Sequence, residues 1–385
     1  MTSMPHQSRQ LVARAVRHLR GTRWLAGVVT MFAMVAMVVM TMPGCGGTSE
    51  PDETTAPAEP AAPDWEPIDI GSTVGMRGLS TVGPAVVWIS GQEGRFFHTG
   101  NAGDTWGSGQ VPGMGAVDFR DVEAIDAKTA YLLSAGATAR IYKTADGGHS
   151  WLKQYASDAP GVFFDGMAFW DPTHAIAFSD PVTGTFLVIG TDDGATWSPV
   201  PNRRLPMPVE AEAGFAGSGT NVAVRGESAW IGTGGGAARV LHSADRGRTW
   251  TAQTTPIAAG EGAGIFSLAF WSDEHGVAVG GNFQHPDVTD GTAAWTSDGG
   301  STWTTSATPP RGYRSCVAVV PGTPGPTLVA VGPTGSDVSM DGGRTWAALS
   351  DTGFHAVAFP TSELGWAVGA DGRVGRFRGT PAPRE

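Results

Sequence analysis

The residues best suited to chemistry stand at the start of short apolar runs that resemble one another. They are Arg77 in MRGLS, Arg120 in FRDVEA, Asp165 in FDGMAF, Arg314 in YRSCVAV and His355 in FHAVAF. Each follows an aromatic residue or Met, so we expect them at equivalent positions of repeated strands. Guanidinium groups bind carboxylate and phosphate oxygens in a bidentate manner, and carboxyl groups act as general acids or bases. The set predicts a site for a ligand or partner that carries an anionic group.

Three other parts of the chain add polar residues that are candidates for the same site. Ser218 and Asn221 lie in GFAGSGTN, Glu261 lies upstream of FSLAF, and Glu212 lies in a long connection. If the arginines hold an anionic sugar while Asp165, Glu212 and Glu261 supply acid and base, the protein is a glycoside hydrolase. Alternatively, the charged residues pair with one another and line a water-filled channel. Both interpretations stay open alongside a binding site.

Two local patterns are weak evidence for a metal or a cofactor. His285, Asp287 and Asp290 in GGNFQHPDVTDG form a short ligand set, and the His-Pro-Asp order is typical of a turn. GTGGGA at residues 232–237 fits a dinucleotide motif, but no helix pattern comes after it. We therefore predict no metal and no cofactor.

A second motif, Ser/Thr-x-Asp-x-Gly-x-Ser/Thr-Trp, recurs six times. Its final residues are Trp106, Trp151, Trp197, Trp250, Trp303 and Trp346. Its acidic position is assigned to Asn101, Asp146, Asp192, Asp245, Asp298 and Asp341. A period of roughly 40 to 50 residues indicates a repeated structural unit. Glycine allows a positive φ, a carboxylate accepts amide hydrogen bonds, and tryptophan buries a large ring. We predict that each motif closes a turn and has no catalytic role.

The elements between these motifs are short β runs. Each of the earlier units shows four runs in an order typical of a propeller blade. The last unit has only three, whereas DWEPIDI at residues 64–70 resembles an isolated fourth strand. We predict an all-β chain whose residues 65–378 form a single seven-bladed β-propeller, closed by Trp65–Ile68 and ending in a tail at residues 379–385. Closure joins the ends of the array and removes exposed sheet edges.

The first 45 residues have a different character. An uncharged run from Trp24 to Met42 comes after Arg9, Arg14, Arg17, Arg20 and Arg23. Such a run has about the 20 residues that span a bilayer, and the positive charge ahead of it predicts export of the propeller. A signal peptide, a membrane anchor and lipidation of Cys45, whose TMPGC context resembles a lipobox, are all open for residues 1–45. Residues 46–64 are rich in Pro and acid and predict a disordered tether.

The net charge of −11 argues against a nucleic-acid partner, since that binding relies on cationic contacts to phosphate. Cys316 lies in an apolar strand pattern, and a disulfide with Cys45 is not expected. We expect a monomeric ring.

The repeats resemble two known groups of proteins. The tryptophan motifs look like the Asp-box, or bacterial neuraminidase repeat, of sialidases and related propellers. The phrases MAFWDPTHAIAFSDP, SLAFWSDEHGVAVGGN and GFHAVAFPTSELGWAVGADGRV resemble the propeller of the photosystem II stability/assembly factor family and its bacterial relatives. The second resemblance covers about residues 65–378 and implies a role in the assembly of membrane proteins.

Together these observations predict an exported, membrane-tethered propeller at the cell envelope, periplasmic or on the outer surface. We expect a non-catalytic binding or assembly scaffold whose partner is a membrane or envelope protein, or a glycan. The alternative is a sialidase-like or other glycoside hydrolase. Sialidases use a Tyr nucleophile backed by Glu, and VGMRGLST does not show their N-terminal Arg motif. We therefore expect that the protein is not an enzyme.

Overall fold

The computed structural model describes residues 64–136 and 139–384. The signal or anchor segment, Cys45 and the predicted tether up to residue 63 lie outside the described residues. Within the described ranges, no helix is long and apolar enough to cross a membrane.

The described chain forms seven antiparallel sheets that are the blades of a propeller. The first strand in the chain is β1 (Trp65–Ile68). Blade 1 contains β2 (Met76–Val82), β3 (Val86–Gly91), β4 (Arg95–Thr99) and β5 (Gly107–Gln110). Blade 2 contains β6 (Asp118–Ala124), β7 (Ala130–Ala135), β8 (Ala139–Thr144) and β9 (Leu152–Ser157). Blade 3 contains β10 (Phe164–Phe169), β11 (Ala175–Val182), β12 (Thr185–Thr191) and β13 (Ser198–Pro199).

The middle of the chain is less regular. A short 3-10 helix spans Asn202–Arg204. The next strands are β14 (Glu212–Ala213), β15 (Val222–Arg225), β16 (Ser228–Gly232), β17 (Gly234–Gly235), β18 (Arg239–Ser243) and β19 (Thr251–Thr254). Blade 4 consists of β15, β16, β18 and β19. Blade 5 contains β20 (Gly260–Phe270), β21 (Gly276–Asn282), β22 (Ala293–Thr296) and β23 (Thr304–Thr305), and β17 and β14 extend it beyond β20.

The last two blades complete the array. Blade 6 contains β24 (Cys316–Val319), β25 (Leu328–Gly332), β26 (Gly335–Ser339) and β27 (Ala347–Ser350). Blade 7 contains β28 (Ala356–Thr361), β29 (Leu364–Val368), β30 (Val374–Arg378) and, on its outer edge, β1. The second strands are almost continuous buried runs, because each blade packs against a neighbour on both faces.

The ring closes between the two ends of the described chain. The inner strands contact one another in chain order, and β28 contacts β2. Trp65 pairs with Phe377 in the β1–β30 register. The Trp65 ring centroid lies 5.1 Å from that of Phe354, and its Nε1 donates to Ser336 Oγ of blade 6 at 3.1 Å. The predicted seven-bladed propeller with an N-terminal closing strand is confirmed.

Trp65→Ala is expected to lower the free energy of unfolding by about 3 kcal/mol, because a buried indole leaves a cavity at the closure. Trp65→Phe, which keeps a ring there, should lose much less. Urea denaturation of both variants measures the difference. Equal midpoints for Trp65→Ala and the parent protein would show that the ring does not depend on this contact.

The Asp-box turns lie between the third and fourth strands of blades 1 to 6. In blade 2, Asp146 Oδ1 accepts the Ser150 amide at 2.9 Å, and its Oδ2 accepts the Ser150 hydroxyl at 2.6 Å. These bonds lower the pKa of Asp146 to about 2. The corresponding residues of blades 1, 4, 5 and 6 make equivalent bonds to the amide four positions on, and they are Asn101, Asp245, Asp298 and Asp341.

The third turn differs from the predicted register. Its carboxylate comes from Asp193, not Asp192, since Asp193 Oδ1 accepts the Thr191 hydroxyl and the amides of Ala195 and Thr196 at 3.0, 2.8 and 2.7 Å. The turn is one residue shorter between the acid and the tryptophan, so the bonds reach positions two and three instead of four. Asp192 is exposed beside it.

Candidate functional site

Three of the predicted strand-start residues, Arg77, Arg120 and Asp165, coincide with β-bulges of the inner strands. In blade 1, Met76 and Gly78 pair with the consecutive residues Gly91 and Ser90, which leaves Arg77 as the extra residue. The same irregularity leaves Arg120, Asp165 and Phe266 as the extra residues of blades 2, 3 and 5. A bulge re-aims one side chain away from the alternation of the strand. This places a chosen side chain of several blades near the ring axis.

Residues 214–221, the central segment, lead into blade 4 and contact five other blades. The Gly214 amide donates to Asp180 Oδ1 of blade 3 at 2.9 Å. Ser218 Oγ donates to the Ser315 carbonyl, just ahead of blade 6, at 2.9 Å, and Thr220 Oγ1 lies 2.7 Å from Ser267 Oγ of blade 5. The central segment therefore crosses the middle of the ring, where one interpretation of the sequence placed a water-filled channel.

Two arginines reach the central segment from blades 1 and 2. Arg77 Nη1 donates to the Gly217 carbonyl at 3.3 Å, and Arg120 Nη1 donates to the Ala216 carbonyl at 3.4 Å. Both bonds are long, so neither guanidinium is saturated by them. Burial, together with the positive charge of Arg120, lowers the pKa of Arg77. Asp118 pairs with Arg120 Nε at 2.8 Å.

The neighbours of this pair add positive charge and neutral polar groups. Burial, then the charges of Arg77, Arg373 and Arg120, lower the pKa of His355 to about 3, so the imidazole is neutral at physiological pH. Burial raises the pKa of Tyr313, against the effect of the same two bulge arginines. We call Arg77, Arg120, Arg373, Tyr313 and His355 the mouth. Its three cations outnumber its one described ion-pair partner, Asp118, so the mouth favours an anionic group.

Arg314 is not part of the mouth, and its assignment as a binding residue is corrected. It occupies the position before the bulge, where other blades bury Phe119 or Phe164. Its side chain is fully buried, and Nε donates to Asp337 Oδ2 at 2.6 Å while Nη2 pairs with the same oxygen. A guanidinium held in this way is out of reach of a ligand. Ser315, one residue later, shares Val331 with Cys316 and holds the bulge-equivalent position.

Asp165 lies beneath the central segment, and Asn221 is the buried last residue of that segment. Asp165 is 1% exposed and Asn221 is fully buried. Neither carboxylate oxygen of Asp165 accepts a well-formed hydrogen bond from a described residue, and the nearby Asp180 amide donates to the Phe163 carbonyl at 3.1 Å. Burial and the charge of Asp180 raise the pKa of Asp165 well above its usual range. A Cβ at Gly214 would lie 2.3 Å from Asp165 Oδ2, so the acid is covered.

The other two candidate catalytic acids lie in environments that differ from that of Asp165. Glu212 is buried and held by Arg239, with Oε2 accepting Nη2 at 2.6 Å and Oε1 accepting Thr233 Oγ1 at 2.6 Å. Glu261 is exposed on the extended part of β20. Glu212 is thus a structural ion pair, and its assignment as an acid or base is corrected. Within residues 64–136 and 139–384, no group of His, Cys, Asp and Glu is arranged to hold a metal ion.

Asp121, next to Arg120, is expected to make stability depend on pH. Its Oδ2 accepts the Met167 amide of blade 3 at 2.7 Å, yet burial raises its pKa to about 7. The unfolded chain releases this proton near pH 4, so the contribution of Asp121 to stability falls as pH rises from about 4 to about 7 and does not change further above that. Asp121→Asn should flatten that slope in urea denaturation at several pH values. A variant with the parent slope would contradict this assignment.

Two residues near the ring axis, Phe266 and Arg373, were not among the site residues predicted from the sequence. Phe266 was not predicted because β20 is unusually long: Glu261 lies near its start, whereas the bulge at Phe266 lies in its interior. Arg373 comes from the β29–β30 turn, which no motif marks. The bulge gives a usable sequence signal. In FSLAF the bulge residue is Phe266, which comes just before the regular alternation of the strand begins at Ser267.

The fold and sequence place this chain among known proteins. The family model for photosynthesis system II assembly factor YCF48 matches residues 74–308. A solved structure described as YCF48 bound to D1 peptide shares 18% identity and a TM-score of 0.59, covering 82% of this chain and 96% of that one. YCF48 from Cyanidioschyzon merolae shares 16% identity and a TM-score of 0.59, covering 82% and 98%.

An enzyme also appears among the similar structures. The GH74 enzyme of Niastella koreensis shares 16% identity and a TM-score of 0.52, and the match covers 80% of this chain but 53% of that one. At such identities the likeness shows the propeller fold alone. A search of curated proteins found no match. The family-model match covers more than half of the sequence, and the chain therefore belongs to the photosynthesis system II assembly factor YCF48 family.

Proposed function

We propose that this protein is a non-catalytic assembly factor that holds an acidic segment of a membrane or envelope protein at the mouth. The observation that carries the proposal is the pair of bulge arginines, Arg77 and Arg120, whose guanidiniums make only long bonds to the central segment. Family membership supports a binding role, and a YCF48 structure contains a bound D1 peptide.

The chemistry of the mouth suits a carboxylate from a protein. An arginine guanidinium donates two parallel hydrogen bonds to a carboxylate. Neighbouring neutral groups such as His355 and Tyr313 can donate further hydrogen bonds. The chain as a whole carries a net charge of −11, so a cationic mouth stands out against an acidic body. An acidic segment is therefore attracted to this place and repelled elsewhere.

We also propose that the protein is exported and tethered through residues 1–45, by an uncleaved anchor or by a lipid on Cys45. A tether keeps the mouth close to membrane proteins. Metabolic labelling with a fatty-acid analogue distinguishes the two, because only a lipid on Cys45 gives a signal that Cys45→Ala removes. An unlabelled protein that stays with membranes after high-salt washing would indicate an anchor.

Glycoside hydrolysis finds less support. Asp165 is covered, Glu212 is locked in an ion pair and Glu261 is exposed, so the three acids occupy three different environments. Hydrolysis by a pair of carboxylic acids requires two of them on opposite sides of one glycosidic bond. A screen of glycosidase substrates in which Asp165→Asn abolishes turnover would reinstate this function.

The proposal is tested by affinity capture from detergent-solubilised native membranes. The bait is the full-length protein, compared with Arg77→Ala/Arg120→Ala. The control is Arg203→Ala/Arg248→Ala, which removes the same charge from exposed positions away from the mouth. We expect one membrane protein to be retained by the parent and the control and lost from the mouth variant. Equal retention by all three baits, or by none, would contradict the proposal.

A further inference from the structure

Two units of the chain are longer than the rest, and both place extra residues beside the mouth. Trp197 to Trp250 and Trp250 to Trp303 are the two widest spacings of the Asp-box motif. The additional residues include β14 and β17 and the loop after β21. Glu212 of β14 pairs with Gly235 of β17, and Gly234 of β17 pairs with Gly264 of β20. We call β14, β17 and residues 260–264 the ledge.

The ledge supports a cluster of three phenylalanines, the aromatic shelf, made of Phe215, Phe266 and Phe283. Phe215 stacks on Phe266 with centroids 4.3 Å apart and planes 18° apart. Phe283 meets both rings edge-on, at 6.4 and 6.3 Å. Phe266 is buried, whereas Phe283 is 41% exposed. The shelf therefore presents a large apolar side chain to solvent on top of a rigid base.

The glycines of the ledge explain why Phe215 can lie flat. A Cβ at Gly234 would lie 2.3 Å from Phe215 Cε2, and one at Gly264 would lie 2.8 Å from it. This is the role of the GTGGGA stretch at residues 232–237, which contains β17. The ledge is anchored by the buried ion pair of Glu212 with Arg239 at 2.6 Å. A shelf fixed in this way is preorganised for a partner.

The shelf is continuous with the mouth. Phe266 meets Tyr313 edge-on at a centroid distance of 4.7 Å. Arg77 and Arg120 in turn lie close enough to Tyr313 to act on its hydroxyl electrostatically. A chain of ring contacts thus connects the exposed Phe283, through the buried Phe266 and Tyr313, to the neighbourhood of the two arginines.

We infer that the aromatic shelf binds a large apolar side chain of the same partner segment whose acidic group binds Arg77 and Arg120. This inference rests on the proposed function and specifies its partner as a peptide segment with an acidic residue close to an aromatic or large aliphatic one. Aromatic anchors with a dry base and a charged rim are typical of the residues that dominate protein interfaces.

The test uses short synthetic peptides with a fluorescent label, in a Gly/Ser background. One carries Glu-Glu, one carries Phe-Leu, and one carries both pairs side by side. Fluorescence anisotropy with the full-length protein gives each Kd. We expect the combined peptide to bind about tenfold more tightly than the Glu-Glu peptide, as burial of one large side chain implies. Phe283→Ser should remove that advantage and leave binding of the Glu-Glu peptide unchanged.

The matched control is Leu152→Ser, which removes a 67% exposed apolar side chain from the outer strand of blade 2. It should have no effect on any peptide. Equal affinity for the combined and Glu-Glu peptides, with both dependent on Arg77, would overturn the shelf and leave the proposed function intact. Binding of the combined peptide through Phe283 without any contribution from Arg77 would instead contradict the proposed function. No binding of any peptide would contradict both.

Discussion

Replacing Asp337 with alanine is expected to lower the free energy of unfolding by about 3 to 5 kcal/mol, one of the largest effects in this protein. The carboxylate is fully buried and serves two guanidiniums. It accepts Arg314 Nε at 2.6 Å and Arg311 Nε at 2.7 Å. Without it, Arg314 would remain a charge in the interior with no compensating anion.

A double variant separates the cost of breaking the pair from the value of the pair itself. Arg314→Met/Asp337→Leu replaces two buried charges with apolar side chains and should recover most of the lost stability. Arg314→Met alone should be destabilising, because the buried Asp337 carboxylate then loses one of its two guanidinium partners and keeps only Arg311. Urea denaturation gives all three values. A double variant as unstable as Asp337→Ala would mean that the pair contributes more than charge compensation.

Arg77→Glu is expected to weaken binding of the captured membrane partner about 100-fold, because an attractive charge becomes a repulsive one at the centre of the site. Most of the change at low ionic strength should appear in the association rate, and the difference from the parent should shrink as salt increases. Surface plasmon resonance with the purified partner at two salt concentrations measures both effects.

The control for this reversal is Arg248→Glu, which alters net charge equally in the Asp-box turn of blade 4, at the opposite end of the strands from the mouth. It should change the association rate only slightly. If Arg248→Glu weakened binding as much as Arg77→Glu, net charge rather than the mouth would account for the interaction.

The fold was predictable because each repeat contains the strands and the turn of one blade within a short stretch of sequence. Each Asp-box brings its own turn, and Trp65 could be assigned to blade 7 since DWEPIDI matches the strand missing from the last unit. The third box shows the limit of such matching. Asp192 fits the motif spacing in sequence, but the hydrogen bonds of the turn are made by the adjacent Asp193.

The site was less predictable, because its residues are selected by one-residue shifts. Arg77 and Arg120 were found since both come directly after a buried residue and sit on the bulge. Arg314 looks the same in sequence but lies one position earlier, where the side chain enters the interior. The central segment could not be foreseen, because it depends on contacts with five separate blades. The aromatic shelf had one trace in the sequence, the two long Asp-box spacings.

The partner should bind at the mouth and not at the face that carries the Asp-box turns. Site-specific photo-crosslinking in native membranes tests this most directly. A photoreactive amino acid replaces His355 at the mouth in one variant and Arg248 on the Asp-box face in another. We expect a covalent adduct with one membrane protein from position 355 and none from position 248. An adduct from position 248 alone would contradict binding at the mouth.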